Sequence, residues 1–99
     1  MNEPEMKREE VVVRHNTAES RFEAIVDGFL SVADYGLSDG QMVMTHTFVP
    51  PDLRGRGVAE KLVRAAMEHA RAERLRVVPA CSYVGAFLQR HPEYRDLAS

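Results

Sequence analysis

The chain has 99 residues, 44% of them hydrophobic and 28% charged, which suits one globular domain able to fold without metal or disulfide staples and excludes a disordered chain. A formal net charge of -2 provides no overall positive field toward nucleic acid or anionic lipid, so any anion must be bound locally. The lone cysteine, Cys81, excludes an internal disulfide framework and a four-thiolate zinc site, and fits the reducing cytoplasm.

Residues 1–10, MNEPEMKREE, set Glu3, Glu5, Glu9 and Glu10 against Lys7 and Arg8 and contain Pro4. The expectation is a flexible, solvated tail with no signal-peptide core. No apolar stretch approaches the roughly 18 residues that cross a bilayer, so no membrane association is expected. Residues 11–99 then form a single domain.

VVVRHN begins with β-branched residues, and RFEAIV alternates so that Phe22, Ala24 and Val26 share a face; both predict strands. Asp27-Gly28 is a two-residue hairpin signal, which folds FLSVADY back antiparallel. A second Asp-Gly, at 39 and 40, precedes QMVMTHTFV, where Met42, Met44, His46 and Phe48 alternate with Val43, Thr45, Thr47 and Val49. The prediction is a four-stranded meander.

From Gly57 the period changes. Ala59, Leu62, Val63, Ala66 and Ala70 fall at helical spacing, with Glu60, Arg64, Glu68, Arg71 and Arg74 mostly elsewhere around the axis. LRVVP reads as a short buried strand, and CSYVGAFLQRHPEY as a second helix, with Val84, Phe87, Leu88 and His91 on one side and Pro92 ending it. The order ββββαβα is an α+β fold. A strand, helix and strand in succession make a right-handed crossover with those strands parallel, so the sheet is mixed and mostly antiparallel.

The junction VPPDLRGRGVAEKLV carries the chemistry. Pro50 and Pro51 cannot extend a ladder, so the fourth strand must stop there. A glycine-containing turn opening a helix aims unpaired backbone N–H groups at one point, which attracts anions. Gly55 and Gly57 remove side chains that would block approach, while Arg54 and Arg56 add charge-assisted donors for phosphate. The plainer alternative is an exposed loop whose glycines serve only the turn. A dinucleotide fingerprint would need Gly or Ala where Glu60 stands, and a P-loop would need Gly-Lys followed by Ser or Thr; both fail.

RGRGVA, residues 54 to 59, resembles the Q/R-x-x-G-x-G/A signature of the GNAT superfamily of N-acetyltransferases, with Arg54, Gly57 and Ala59 in the defining places. Together with THTFVPPDLRGRGVAEKLV and RVVPACSYVGAFLQRHPEY, residues 10 to 97 are similar to the small single-domain, YjdJ-like branch. The resemblance implies a minimal GNAT fold without the closing strands of larger members. It also implies an acetyl-CoA-dependent transfer to a primary amine, on a small molecule or a protein lysine. The cofactor's diphosphate would rest on amides of Arg54, Gly55, Arg56, Gly57, Val58 and Ala59, with Phe48 and Val49 beside the thioester and no metal required. The alternative on the same residues is a CoA-binding module with little or no transferase activity. A monomer or weak homodimer is expected, and nucleic acid is not, since Arg54 and Arg56 lack interleaved aromatics.

Two residues are catalytic candidates. His46, a histidine on strand four, suits a general base; its parity with Met42, Met44 and Phe48 equally suits a packed residue beneath the helices. Cys81, beside a helix start, is open to three readings: an acetyl-accepting nucleophile, a proton donor to the departing CoA thiolate, or a small buried hydrophobe. Ser82 suits the helix N-cap, and the resemblance implies cofactor contacts for Ser82, Phe87 and Arg90, the last two toward the pantetheine arm and the phosphates, although core packing is the simpler explanation for Phe87. Neither Tyr83 nor Tyr94 matches the superfamily's tyrosine acid, and His15, His69 and His91 lack metal-ligand spacing.

Overall fold

A computed structural model of the chain describes residues 11–98; the N-terminal ten, read above as a solvated tail, and Ser99 lie outside them. The strand signals resolve into β1 (Arg14–Asn16), β2 (Arg21–Val26), β3 (Phe29–Ser38) and β4 (Gln41–Phe48), antiparallel and in chain order. Only the last three residues of VVVRHN form β1, while Val11 and Val13 pack half-buried against the core. Both Asp-Gly pairs turn hairpins, with φ of 53° and 81° at Asp27 and Gly28 and of 49° and 78° at Asp39 and Gly40. Two successive positive φ values match the right-handed twist of the flanking strands.

The crossover follows as α1 (Val58–Ala72), β5 (Arg76–Pro79) and α2 (Ser82–Arg90), then a 3-10 segment over Pro92–Leu97. β5 is parallel to β4 at the sheet edge, so the sheet is mixed as expected. On α1 the buried residues are Val58, Leu62, Val63, Ala66, Met67 and Ala70, one stripe at helical spacing. They pack with Phe22, Ala24, Val26, Ala33, Tyr35, Met42, Met44 and Val77 from the sheet, and with Val84, Phe87 and Leu88 from α2. The opposite face of the sheet carries Ile25, Leu30 and Phe48, of which Ile25 is 66% and Phe48 44% exposed.

One irregularity decides what reaches the site. Asp34 pairs with His46 but the next residue of β3, Tyr35, pairs with Met44, so Thr45 is an extra residue on β4 and makes a β-bulge. The bulge reverses the alternation beyond it. Met42 and Met44 stay in the core, whereas His46 and Phe48 are exposed and Thr47 turns toward the helices. The alternative of a packed His46 sharing the methionine face is therefore overturned: a period of two holds only while the ladder has no insertion.

Candidate active site

The β4–β5 ladder runs from Gln41 and Arg76 to Met44 and Pro79, and the Cys81 N–H closes it by donating to Met44 O at 2.9 Å. β4 continues to Phe48 while the other chain turns into α2, so the two strands part. Pro50 and Pro51 then bend the chain through a 3-10 turn, Pro51–Leu53, whose Leu53 is buried as an anchor. The turn delivers Arg54 through Gly57 to the start of α1.

Gly57 is the N-cap of α1 with φ of 78°, a left-handed conformation that costs other residues, and no side chain caps the helix. The Lys61 N–H, donating to Gly57 O at 3.2 Å, closes the first helical bond. The N–H groups of Val58, Ala59 and Glu60 precede it and, by helix geometry, have no partner within the helix. They open onto a cleft of about 220 Å³ lined by Val49, Leu53, Arg54, Gly55, Gly57, Val58, Ala59, Glu60 and Tyr83. A second recess of about 330 Å³ adjoins it, walled by Thr47, Phe48, Val49, Arg54, Ala59 and Tyr83. A larger recess of about 530 Å³ between Pro79 and α2 holds none of this chemistry, and its Arg95 is committed to the carbonyls of Leu88 and Gln89.

The structure thus gathers Phe48, Val49, Arg54, Gly55, Gly57, Val58 and Ala59 around one continuous depression. Arg54 is braced there by an Nε–H bond of 3.0 Å to Val49 O. Arg56 is elsewhere: its guanidinium pairs with Asp27 of the β2–β3 hairpin at 2.9 Å, outside the walls of both recesses. Phe87 is fully buried, its ring against His91 and Tyr94, so it takes the core position and not a cofactor contact. Ser82 is exposed, and Cys81, not Ser82, is the N-cap of α2. Arg90 lies outside the walls but over the ring of Tyr83, which lines both recesses, at 5.9 Å.

The two catalytic candidates do not come together. His46 is exposed opposite Asp34 on the open face of the sheet. Cys81 sits on the helix side, its Sγ 3.5 Å from Thr47 Oγ1 and one bond behind the recess wall. Burial pushes the Cys81 thiol up, but hydrogen bonds that favour its thiolate form, with the Thr47 hydroxyl and with the backbone of Val84, Tyr83 and Thr47, outweigh it and leave the thiol below its ordinary value. Burial raises Tyr83, so its phenol stays protonated. Thr47, Leu53, Glu60 and Tyr83 are the wall residues that sequence reasoning missed. Glu60 and Tyr83 each lie in the first turn of a helix whose start was legible, whereas Thr47 depends on a bulge that leaves no compositional trace.

A mixed five-stranded sheet whose last two strands are parallel, with a glycine-bearing helix start that no side chain caps at the strand-to-helix junction, defines an α+β fold. The family model for GCN5-related N-acetyltransferases matches residues 21–97, and the chain belongs to that family. Curated relatives include Protein NATD1 of Bos taurus, 39% identical over 49 residues, and Protein NATD1 of Xenopus tropicalis, 37% identical over the same length. Each match covers 50% of this chain but only 43% and 45% of those relatives. Among solved structures, a GCN5-like protein from Staphylococcus aureus determined by NMR superposes with a TM-score of 0.72 at 28% identity, over 89% of this chain and 87% of that one. The α+β fold read from the sequence is therefore borne out.

Proposed function

We propose that the protein transfers an acetyl group from acetyl-CoA to a primary amine. The observation that carries this reading is the uncapped N-terminus of α1, lined by Arg54, Gly55 and Gly57 and opening beside the point where β4 and β5 part. The diphosphate rests on the free N–H groups of the first turn, where the helix dipole also favours negative charge. The pantetheine arm then runs into the recess between Val49 and Tyr83 and brings the thioester alongside the free edge of β4. Backbone N–H groups near Phe48 and Val49 stabilise the oxygen on which charge develops during attack.

Two proton movements complete the reaction. The amine, with an ordinary pKa near 10.4, enters as the neutral base after losing its proton to solvent through the open cleft. The departing CoA thiolate takes a proton that Cys81 supplies, for which an acidified thiol suits the task. Holding amine and thioester together does the remaining work, since correct placement alone removes several kcal/mol of the barrier.

The test is a panel of small amines and lysine peptides with acetyl-CoA, followed by release of free thiol against a no-acceptor control. Amine-dependent release is expected. Tight CoA binding without release from any acceptor would instead identify a binding module.

A further inference from the structure

We propose that the Thr47 hydroxyl is the group that delivers the proton to the departing thiolate, with Cys81 behind it as the source. This rests on the transferase reading above and identifies the atom that acts within that site. Thr47, not Cys81, forms part of the recess wall, between Phe48 and Tyr83. It does so because the bulge at Thr45 turns the following residues over, placing Thr47 opposite the buried Ala33 and within 3.5 Å of the thiol.

The hydrogen-bond directions fit a relay. When the thiol donates to Thr47 Oγ1, that oxygen is used as an acceptor and its own proton is free to point into the recess. As the C–S bond of the tetrahedral intermediate breaks, its electron pair stays on the CoA sulfur, which takes the Thr47 hydroxyl proton. Thr47 Oγ1 takes the Cys81 thiol proton in the same movement. The hydroxyl then donates back to a Cys81 thiolate held by the N–H groups of Tyr83 and Val84 in the first turn of α2. The proton shed to solvent by the acylated nitrogen is balanced by one that the thiolate takes back, so the enzyme returns to its starting state.

The experiment uses the full chain and compares Thr47→Val, which keeps the shape and loses the hydroxyl, with Thr47→Ser, which keeps the hydroxyl. Thr47→Val is expected to lower kcat by about 10²-fold, the usual scale for losing a positioned acid, with the Kd for CoA unchanged. Thr47→Ser restores kcat. Cys81→Ala lowers kcat as much as Thr47→Val, and the double variant is no slower than either, because both act in one step. Unchanged kcat in Thr47→Val, or penalties that multiply in the double variant, would overturn the relay.

A second readout does not need turnover: the pH dependence of Cys81 alkylation by iodoacetamide. Its midpoint is expected to rise in Thr47→Val and not in Thr47→Ser. An unchanged midpoint overturns the coupling of the pair. A shifted midpoint in a protein that acetylates no amine sinks the relay together with the transferase reading, whereas turnover that is indifferent to Thr47 sinks the relay alone.

Discussion

Replacing Gly57 by Ala separates what the cradle needs from what the helix needs. A Cβ built on Gly57 meets nothing within 4 Å, so alanine introduces no clash, and the cost arises wholly from holding φ at 78°. For a residue with a Cβ that conformation costs about 1–2 kcal/mol. With a urea m-value of about 1–3 kcal/mol/M, the midpoint of unfolding falls by roughly 0.3–2 M. Gly85 is the internal control: it also has open space around it, but it lies inside α2 without a positive φ. Alanine there is expected to stabilise by about 0.5–1 kcal/mol, because a helix interior favours it over glycine. Urea unfolding of the two variants, followed by circular dichroism, gives shifts of opposite sign. Gly57→Ala as stable as the parent, or both variants moving the same way, would refute the assignment of Gly57 to a left-handed helix start.

Other outcomes follow from single residues. Ser31 is fully buried and its hydroxyl has no partner among the described residues, so Ser31→Ala is expected to raise stability by about 1 kcal/mol in the same urea assay, and a loss would show an unseen partner. Leu62 is fully buried beneath α1, and Leu62→Ala is expected to cost about 2–5 kcal/mol; a change below that range would mean that the core collapses around the gap. His15 stacks on Phe22, bonds Tyr35 at 2.6 Å and faces His69, and burial, then the charge of His69, lowers its pKa. Its contribution to stability is therefore complete above the ordinary value near 6.5 and is lost as pH falls through the lowered folded value. Stability compared at pH 7.5 and 5.5 should show that loss in the parent and less of it in His15→Gln; equal losses would contradict it. Asp27→Asn removes the exposed partner of Arg56 and should change stability by less than about 1 kcal/mol, as melting curves would show.

The hairpins were legible because an Asp-Gly pair states its own backbone geometry, and the helices because Leu62, Val63, Ala66 and Ala70, or Val84, Phe87 and Leu88, repeat at one period. The cradle was legible for a similar reason, since prolines that end a strand and glycines that open a helix act locally. The interior of the site was not. Met42, Met44, His46 and Phe48 alternate without interruption in the sequence, and only the pairing of β4 with β3 shows that Thr45 is inserted. That one residue exchanges His46 for Thr47 at the recess wall. The pairing of Arg56 was not legible for a related reason: its partner, Asp27, lies 29 positions away, and no local pattern announces such a pair. Phe87 suits a core or a cofactor contact equally until α2 is docked on the sheet.

Titration calorimetry of CoA against the parent chain and Gly57→Glu tests the seat of the diphosphate most directly. A carboxylate at the mouth of the uncapped helix should repel the phosphates and cover the free N–H groups, weakening binding by roughly tenfold or more, about 1.4 kcal/mol at the least. Equal affinity in a folded Gly57→Glu variant would place the cofactor elsewhere and contradict the account.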